Sequence, residues 1–188
     1  MPNWCVNELT VSGEQEGVAR FVANAQCDDE PLSFEKIVPI PDAIDKMPYD
    51  PYEYWARVIL WGTKWDVSEV QVIESFDGLI TYSFDTAWSP PLPFVVRTSR
   101  VYKNVCFDIR WDEPGVGLFG RVVVKDGKVM EMAELLPMPD DNELAEQYLK
   151  QRVIACAAIA GDQIELAGKK GNITDYLQLV DPDLALAV

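Results

Sequence analysis

The 188 residues of this chain include no histidine, which limits the chemistry that its side chains can perform. This excludes histidine acid–base catalysis, Ser-His-Asp and Cys-His nucleophiles and histidine-ligated zinc. The sequence also lacks a phosphate-binding loop, a dinucleotide-binding glycine pattern and an H-E-x-x-H motif. An enzyme would have to use carboxylates, lysine, tyrosine or a differently activated thiol. Asp66 and Asp85 are the carboxylates to consider, because pairing of the strands beside them would bring them together.

Two short tryptophan-centred segments are the most distinctive feature of the sequence. They hold three of the six tryptophans and read Trp61-Gly62-Thr63-Lys64-Trp65-Asp66 and Ala87-Trp88-Ser89-Pro90-Pro91-Leu92-Pro93. Tryptophan is bulky and its indole N–H needs a partner, so its concentration in loops requires a reason. Either the loops close over the core as a lid, or they form an aromatic surface that binds something. Lys64 lies between Trp61 and Trp65, and two alternative contacts are predicted for it: a cation–π contact with these tryptophans, or an ion pair with Asp66.

The elements that position these loops follow from the spacing of apolar residues. Alternation predicts strands over 3–11, 67–76, 79–86 and 104–111, and helical spacing predicts helices over 14–26 and 89–102. Asp77-Gly78 predicts a tight hairpin. Residues 27–65 are rich in proline yet apolar, with helices predicted after Pro41 and over 52–60. Without this helical insertion after the first helix, the order is β-α-β-β-α-β, which predicts an α+β ferredoxin-like sandwich.

The remaining third of the chain predicts an added C-terminal β-hairpin followed by C-terminal helices. Strands are expected over 118–125 and 128–135, around Asp126-Gly127, and would extend the sheet. Helices are expected over 140–160 and 172–180. The predicted organisation is therefore a ferredoxin-like domain over 1–135, with its insertion at about 27–65. A helical extension over 136–188 would pack on the same domain.

The tryptophan loops should form a single patch. One stands just before the first strand of the 67–86 hairpin and the other just after its second strand, and those ends of a hairpin are adjacent. The patch could be a buried lid or a binding site, and the sequence leaves both open. Its candidate binding residues are Trp61, Thr63, Lys64, Trp65, Asp66, Asp85, Trp88 and Ser89.

Charge and composition restrict the kind of partner. The formal net charge is −15, which argues against binding duplex nucleic acid and permits a basic protein partner. No secretory signal and no membrane-spanning stretch is apparent, so a cytoplasmic protein is expected. The cysteines are scattered without metal-ligand spacing, and we predict no metal and no cofactor. These cysteines are Cys5, Cys27, Cys106 and Cys156.

Several of these segments, taken in order, resemble a known family. They are Pro2-Asn3-Trp4-Cys5 with Asn7, the stretch from Phe34 to Pro41, the two tryptophan loops, and Gly117 to Gly120. Over about residues 1–135 the chain resembles the YubB-like ferredoxin-fold family of conjugative plasmids and bacteriophages. The resemblance implies a ferredoxin-like fold and an accessory role in a bacterial host. It carries over no catalytic residue.

Four functional hypotheses follow. The leading one is a non-enzymatic accessory protein of a mobile genetic element that binds a host protein, with inhibition of a host defence as one form of this role. Its acidic surface would complement a basic, nucleic-acid-binding partner, with tryptophan as the anchor. The second is a small-molecule or nucleotide pocket lined by Trp61, Trp65 and Trp88. The third is a carboxylate-based enzyme. The fourth is a single-stranded nucleic-acid binder that stacks bases on sheet aromatics, with Tyr82, Phe84, Arg110 and Trp111 as its residues.

Overall fold

The computed structural model describes residues 3–28, 30–40, 51–115, 118–135, 163–166 and 169–172. The described helices are α1 (Gln15–Ala25), α2 (Phe34–Ile37), α3 (Pro51–Trp61) and α4 (Leu92–Val101). The described strands are β1 (Trp4–Gly13), β2 (Ser68–Phe76), β3 (Leu79–Ala87), β4 (Val105–Glu113), β5 (Leu118–Lys125), β6 (Lys128–Leu135), β7 (Gln163–Leu166) and β8 (Lys169–Asn172).

Strands β1 to β6 form one antiparallel sheet in the order β2-β3-β1-β4-β5-β6. The first four strands in that order are those of the predicted ferredoxin-like unit, and the β5–β6 hairpin pairs with β4. The turn of this hairpin has positive φ angles at Asp126 (52°) and Gly127 (77°), the conformation that a type I′ turn requires. Strands β7 and β8 pair with each other as a separate two-stranded sheet.

The core lies between one face of the large sheet and the helices. Alternate residues of β1 and β4 are buried, as the predicted period of two requires. Phe21 of α1 makes edge-to-face contacts with Tyr82, Tyr102 and Phe107, at ring-centroid distances of 6.3, 5.4 and 5.5 Å. A helical face and a sheet face therefore meet through aromatic packing.

The second aromatic cluster lies under the tryptophan loops. Phe34 of α2 packs against Phe94, Phe84 and Trp61 at 4.2, 5.9 and 5.9 Å between ring centroids. Ser33 caps α2, and its hydroxyl accepts a hydrogen bond from the Lys36 amide. This short helix was not predicted, because four residues give too little periodicity to detect.

The helices expected after Pro41 and over 140–160 lie outside the described residues, as does the helix expected over 172–180 apart from Asn172, which ends β8. Within the predicted helical extension of 136–188, the described segments are the strands β7 and β8, which were not predicted. In the described part of the chain, no helix is both long and apolar enough to cross a bilayer.

Candidate functional site

The two tryptophan loops lie side by side and are held together by side-chain hydrogen bonds. The Thr63 hydroxyl donates to the Ala87 carbonyl at 3.0 Å, and the Ser89 hydroxyl donates to the Gly62 carbonyl at 2.7 Å. Gly62 has φ of +86°, and a Cβ on it would stand 2.5 Å from Cδ of Pro93. Thr63 and Ser89 are thus supports that fix one loop against the other, and glycine is required at the point of closest approach.

A buried polar network anchors the second loop to the sheet. The Asn7 side chain, 1% exposed, donates to the Cys5 carbonyl at 2.8 Å and to the Thr86 hydroxyl at 2.9 Å. The Thr86 hydroxyl in turn donates to the Ser89 carbonyl at 2.7 Å. The role of Asn7 was missed from the sequence, although an amide on the buried face of an alternating strand is a signal for such a network.

Asp66 has a structural role in this arrangement. Its carboxylate accepts hydrogen bonds from the Ser33 hydroxyl (2.8 Å) and from the backbone amides of Phe34 (2.7 Å), Glu35 (3.2 Å) and Val67 (2.8 Å). An acidic group at the start of a helix satisfies amides that have no intrahelical partner. Asp66 therefore ties α2 to the start of β2, and its carboxylate is committed to those four donors.

Asp85 does not share these contacts. It lies on β3, directly opposite Ser68 of β2 and Val6 of β1. Burial and then the neighbouring negative charge of Glu69 raise its pKa above 3.8. The acid that acts electrostatically on Asp85 is therefore Glu69, whereas the predicted pair was Asp66 with Asp85.

Trp61 is a correction to the candidate patch. It is the last residue of α3 and only 1% exposed. Its indole N–H donates to the Val38 carbonyl at 2.8 Å, and its ring packs on Phe34. It belongs to the core because α3 continues one residue beyond the predicted helix, which places the indole on the buried face.

Three other indoles form a surface that we call the tryptophan platform, made of Trp4, Trp65 and Trp88. Their exposures are 38, 36 and 43%. The ring centroids of Trp4 and Trp65 are 6.1 Å apart, and those of Trp65 and Trp88 are 6.3 Å apart. Trp4 was not predicted as a site residue. The antiparallel register places it opposite Ala87 and so beside the second loop.

Lys64 lies at one end of the platform. Its ammonium nitrogen is 4.8 Å from the ring centroid of Trp65, 5.1 Å from that of Trp88 and 6.0 Å from that of Tyr54. These are cation–π distances. Of the two contacts predicted for Lys64, the structure thus has the cation–π contact. The Asp66 carboxylate instead accepts hydrogen bonds from the start of α2.

Trp88 has a backbone conformation that is unusual for its residue type. Its φ is +68°, in the left-handed region, which costs an L-residue about 1–2 kcal/mol. A hydrogen bond from its amide to the Asn3 carbonyl, at 2.9 Å, holds it there. A bulky side chain that is both strained and partly exposed identifies a candidate functional position.

The open face of the sheet continues the platform. Val6 is 47% exposed and Phe119 is 37% exposed. In the strand register Asp85, Val6, Asp112 and Phe119 lie in one row across β3, β1, β4 and β5. The tryptophan platform is therefore bordered, on the side of Trp4, by a surface in which apolar side chains alternate with the carboxylates of Asp85 and Asp112.

The sheet aromatics considered for base stacking are elsewhere. Tyr82, Phe84 and Trp111 are at most 4% exposed and face the core, so these rings are not available to nucleotide bases. Arg110 is on the open face, with its guanidinium 4.0 Å from the Glu8 carboxylate. In the described part of the chain, no three Cys, Asp or Glu side chains are grouped as metal ligands.

The sheet order and the helices packed on it define a ferredoxin-like α+β protein. Residues 60–150 match the family model described as the ferredoxin-like domain in Api92-like protein. That segment begins at the first tryptophan loop and includes both loops. Comparison with curated proteins gives no match.

A solved structure agrees on the fold. The crystal structure of a protein api92 from Yersinia pseudotuberculosis superposes with a TM-score of 0.54 at 10% sequence identity. The similarity covers 74% of this chain and 100% of that one. At this identity the likeness establishes the ferredoxin-like fold alone.

Proposed function

We propose that this chain is a non-enzymatic binding protein whose tryptophan platform docks onto another protein. The observation that carries the proposal is Trp88, whose indole is 43% exposed on a left-handed backbone. Glycine or asparagine would adopt this conformation at a lower cost, so the backbone conformation does not account for tryptophan here. Binding through the exposed indole does.

The platform has the properties of an interface hot spot. Tryptophan is enriched where truncation costs the most binding energy, because it buries a large apolar area with few rotatable bonds. The hydrogen bonds of Thr63, Ser89 and Asn7 hold the loops before any partner arrives. A pre-organised surface loses less entropy on binding, which favours affinity.

The partner that fits best is a basic protein. The chain carries a net charge of −15, and Asp85 and Asp112 lie on the face that adjoins the platform. Such a surface attracts a basic partner and repels nucleic acid. A nucleic-acid-binding protein of the bacterial host has the required charge.

The biological setting is proposed from the resemblance to the YubB-like family. That resemblance rests on ordered motifs that include both tryptophan loops, and the family occurs on conjugative plasmids and bacteriophages. We therefore infer a cytoplasmic accessory protein of a mobile genetic element. A host defence protein with a basic nucleic-acid site is the kind of target that its acidic surface suits.

The other hypotheses have less support. A pocket lined by Trp61, Trp65 and Trp88 would need Trp61 at the surface, whereas it is 1% exposed. The space beside Trp65 and Trp88 also holds the Lys64 ammonium. An enzyme based on Asp66 would use a carboxylate that already accepts four hydrogen bonds, three from the start of α2 and one from the Val67 amide.

The test is capture from bacterial lysate by the wild-type chain, by a W65A/W88A variant and by an F76A/V101A control. Phe76 and Val101 are 66 and 65% exposed and lie outside the platform. The control therefore removes exposed apolar surface of a similar kind at other places. The proposal expects proteins retained by the wild type and the control to be lost with W65A/W88A. Equal retention by all three would contradict it.

A further inference from the structure

The tryptophan platform has two chemically different ends. At the Trp65–Trp88 end the ring faces already hold a cation, because the Lys64 ammonium lies 4.8 and 5.1 Å from their centroids. At the other end stands Trp4, which contacts Trp65 and borders the open face of the sheet. In the described part of the chain, every cation–π contact of the platform involves Lys64. The Trp4 end is therefore where a second cation can approach an indole.

Carboxylates flank the Trp4 end on both sides. Val6 follows Trp4 on the same face of β1, and it lies directly opposite Asp85 on β3 and Asp112 on β4. Both acids are thus diagonal neighbours of Trp4, at about 7–8 Å between backbone positions. Glu69 adds a third negative charge beside Asp85. Long side chains span such a distance.

Among the residues that the structure describes, no cation is paired with these three carboxylates. Within the described residues, the side chains of Glu69, Asp85 and Asp112 make no hydrogen bond and no ion pair. Two other acids of the open face are paired, Asp108 with Arg121 at 2.7 Å and Glu8 with Arg110 at 4.0 Å. Three unpaired acids therefore lie where the platform ends, which is where a partner's positive charge would be complementary.

We propose that the Trp4 end recognises an arginine side chain of the partner, with the guanidinium stacked on the indole of Trp4 and paired with Asp85 or Asp112. This inference rests on the proposed protein-binding function and specifies the group that the partner presents. The partner's apolar or acidic groups would then face the Lys64 end, so the platform also fixes the orientation of the bound segment.

Arginine fits this geometry better than lysine. A planar guanidinium stacks on an indole and still directs its N–H groups sideways to a carboxylate, whereas an ammonium has no plane to stack. A phosphate group does not fit, because the acids at this end would repel it. The combination of an exposed indole with unpaired carboxylates on both sides is therefore selective for arginine.

The experiment compares eight-residue homopeptides of arginine and of lysine, which carry equal charge, at about 0.15 M salt to screen long-range attraction. Tryptophan fluorescence and calorimetry report binding to the full chain. We expect the arginine peptide to bind about tenfold more tightly, the size of one good cation–π contact. The variants W4A and D85N/D112N should each remove most of this preference.

A matched control separates recognition from simple charge. Glu14 and Glu16 are exposed acids beside and on α1, so E14Q/E16Q removes the same charge as D85N/D112N away from the platform. It should leave the arginine preference unchanged. Equal affinity for both peptides, or equal losses in the two double variants, would overturn the proposal. The proposed protein-binding function is tested by a different result: it would be contradicted if W65A/W88A still captured the proteins that the wild type retains from lysate.

Discussion

Replacing Trp88 by glycine and by alanine separates the contribution of its side chain from that of its backbone. Both changes remove an indole that is 57% buried, since 43% is exposed. A tryptophan side chain has about 200 Å² of surface, and somewhat over half of it is buried here. Losing that burial costs about 3 kcal/mol, at about 25 cal/mol per Å². The two variants differ in how they tolerate a φ of +68°.

Alanine retains the left-handed strain of about 1–2 kcal/mol, and glycine does not. Glycine loses part of that advantage, about 0.5–1 kcal/mol, because it makes the unfolded chain more flexible. We therefore expect W88G to be more stable than W88A by about 1 kcal/mol, which corresponds to a melting-temperature difference of about 2–4 °C for a chain of this size. Both variants should lie below the wild type.

Urea denaturation followed by circular dichroism measures this difference, provided that the two variants show the same dependence on denaturant concentration. The reasoning is refuted if W88A is as stable as W88G or more stable, since the strain at Trp88 would then be no larger than the entropic cost of glycine. Both variants should lose partner capture to the same extent, because both lack the indole. Capture retained by either one would mean that the strain does not serve binding.

Three further predictions concern the supports of the site. D66A should lose about 2–4 kcal/mol in urea denaturation, because four donors lose a charged acceptor, and D66N, which keeps one oxygen, should lose less. Because the pKa of Asp85 is raised, the folded state binds the Asp85 proton more tightly than the unfolded state does. Protonated Asp85 therefore stabilises the folded state below pH 3.8, and this contribution is lost as the pH rises through the folded-state pKa. D85N should therefore be more stable than the wild type at pH 7, and a wild-type-like pH dependence of its melting temperature would contradict this. Burial raises the pKa of Cys5, so mass spectrometry after maleimide labelling should find the half-buried Cys27 modified and Cys5 modified only on unfolding.

The fold was largely predictable because its signals are local. The period-two strands and the Asp-Gly turns predict β1 to β6 without knowledge of tertiary structure. The convergence of the two tryptophan loops also follows, since they stand at the paired ends of one hairpin. What sequence periodicity cannot supply is the exact end of a helix, and for this reason Trp61 was assigned to a loop and not to the core.

Side-chain roles depended on tertiary contacts that no local pattern encodes. Asp66 caps a helix that begins 32 residues earlier in the chain. Trp4 joins the platform through strand register with Ala87, which is far away in sequence. Large apolar residues occur on both faces of β1, so alternation alone does not tell which face is the core. Identifying the residues of the tryptophan platform therefore required the strand register of the sheet.

The central claim is that the tryptophan platform is a binding surface, and photo-crosslinking in living bacteria tests it most directly. A photoreactive phenylalanine analogue at position 65 replaces an exposed platform residue, and the same analogue at position 76 replaces an aromatic residue outside it. Our account predicts a discrete adduct from position 65 that position 76 does not form. Identical adducts from both positions, or an adduct from position 76 alone, would contradict it.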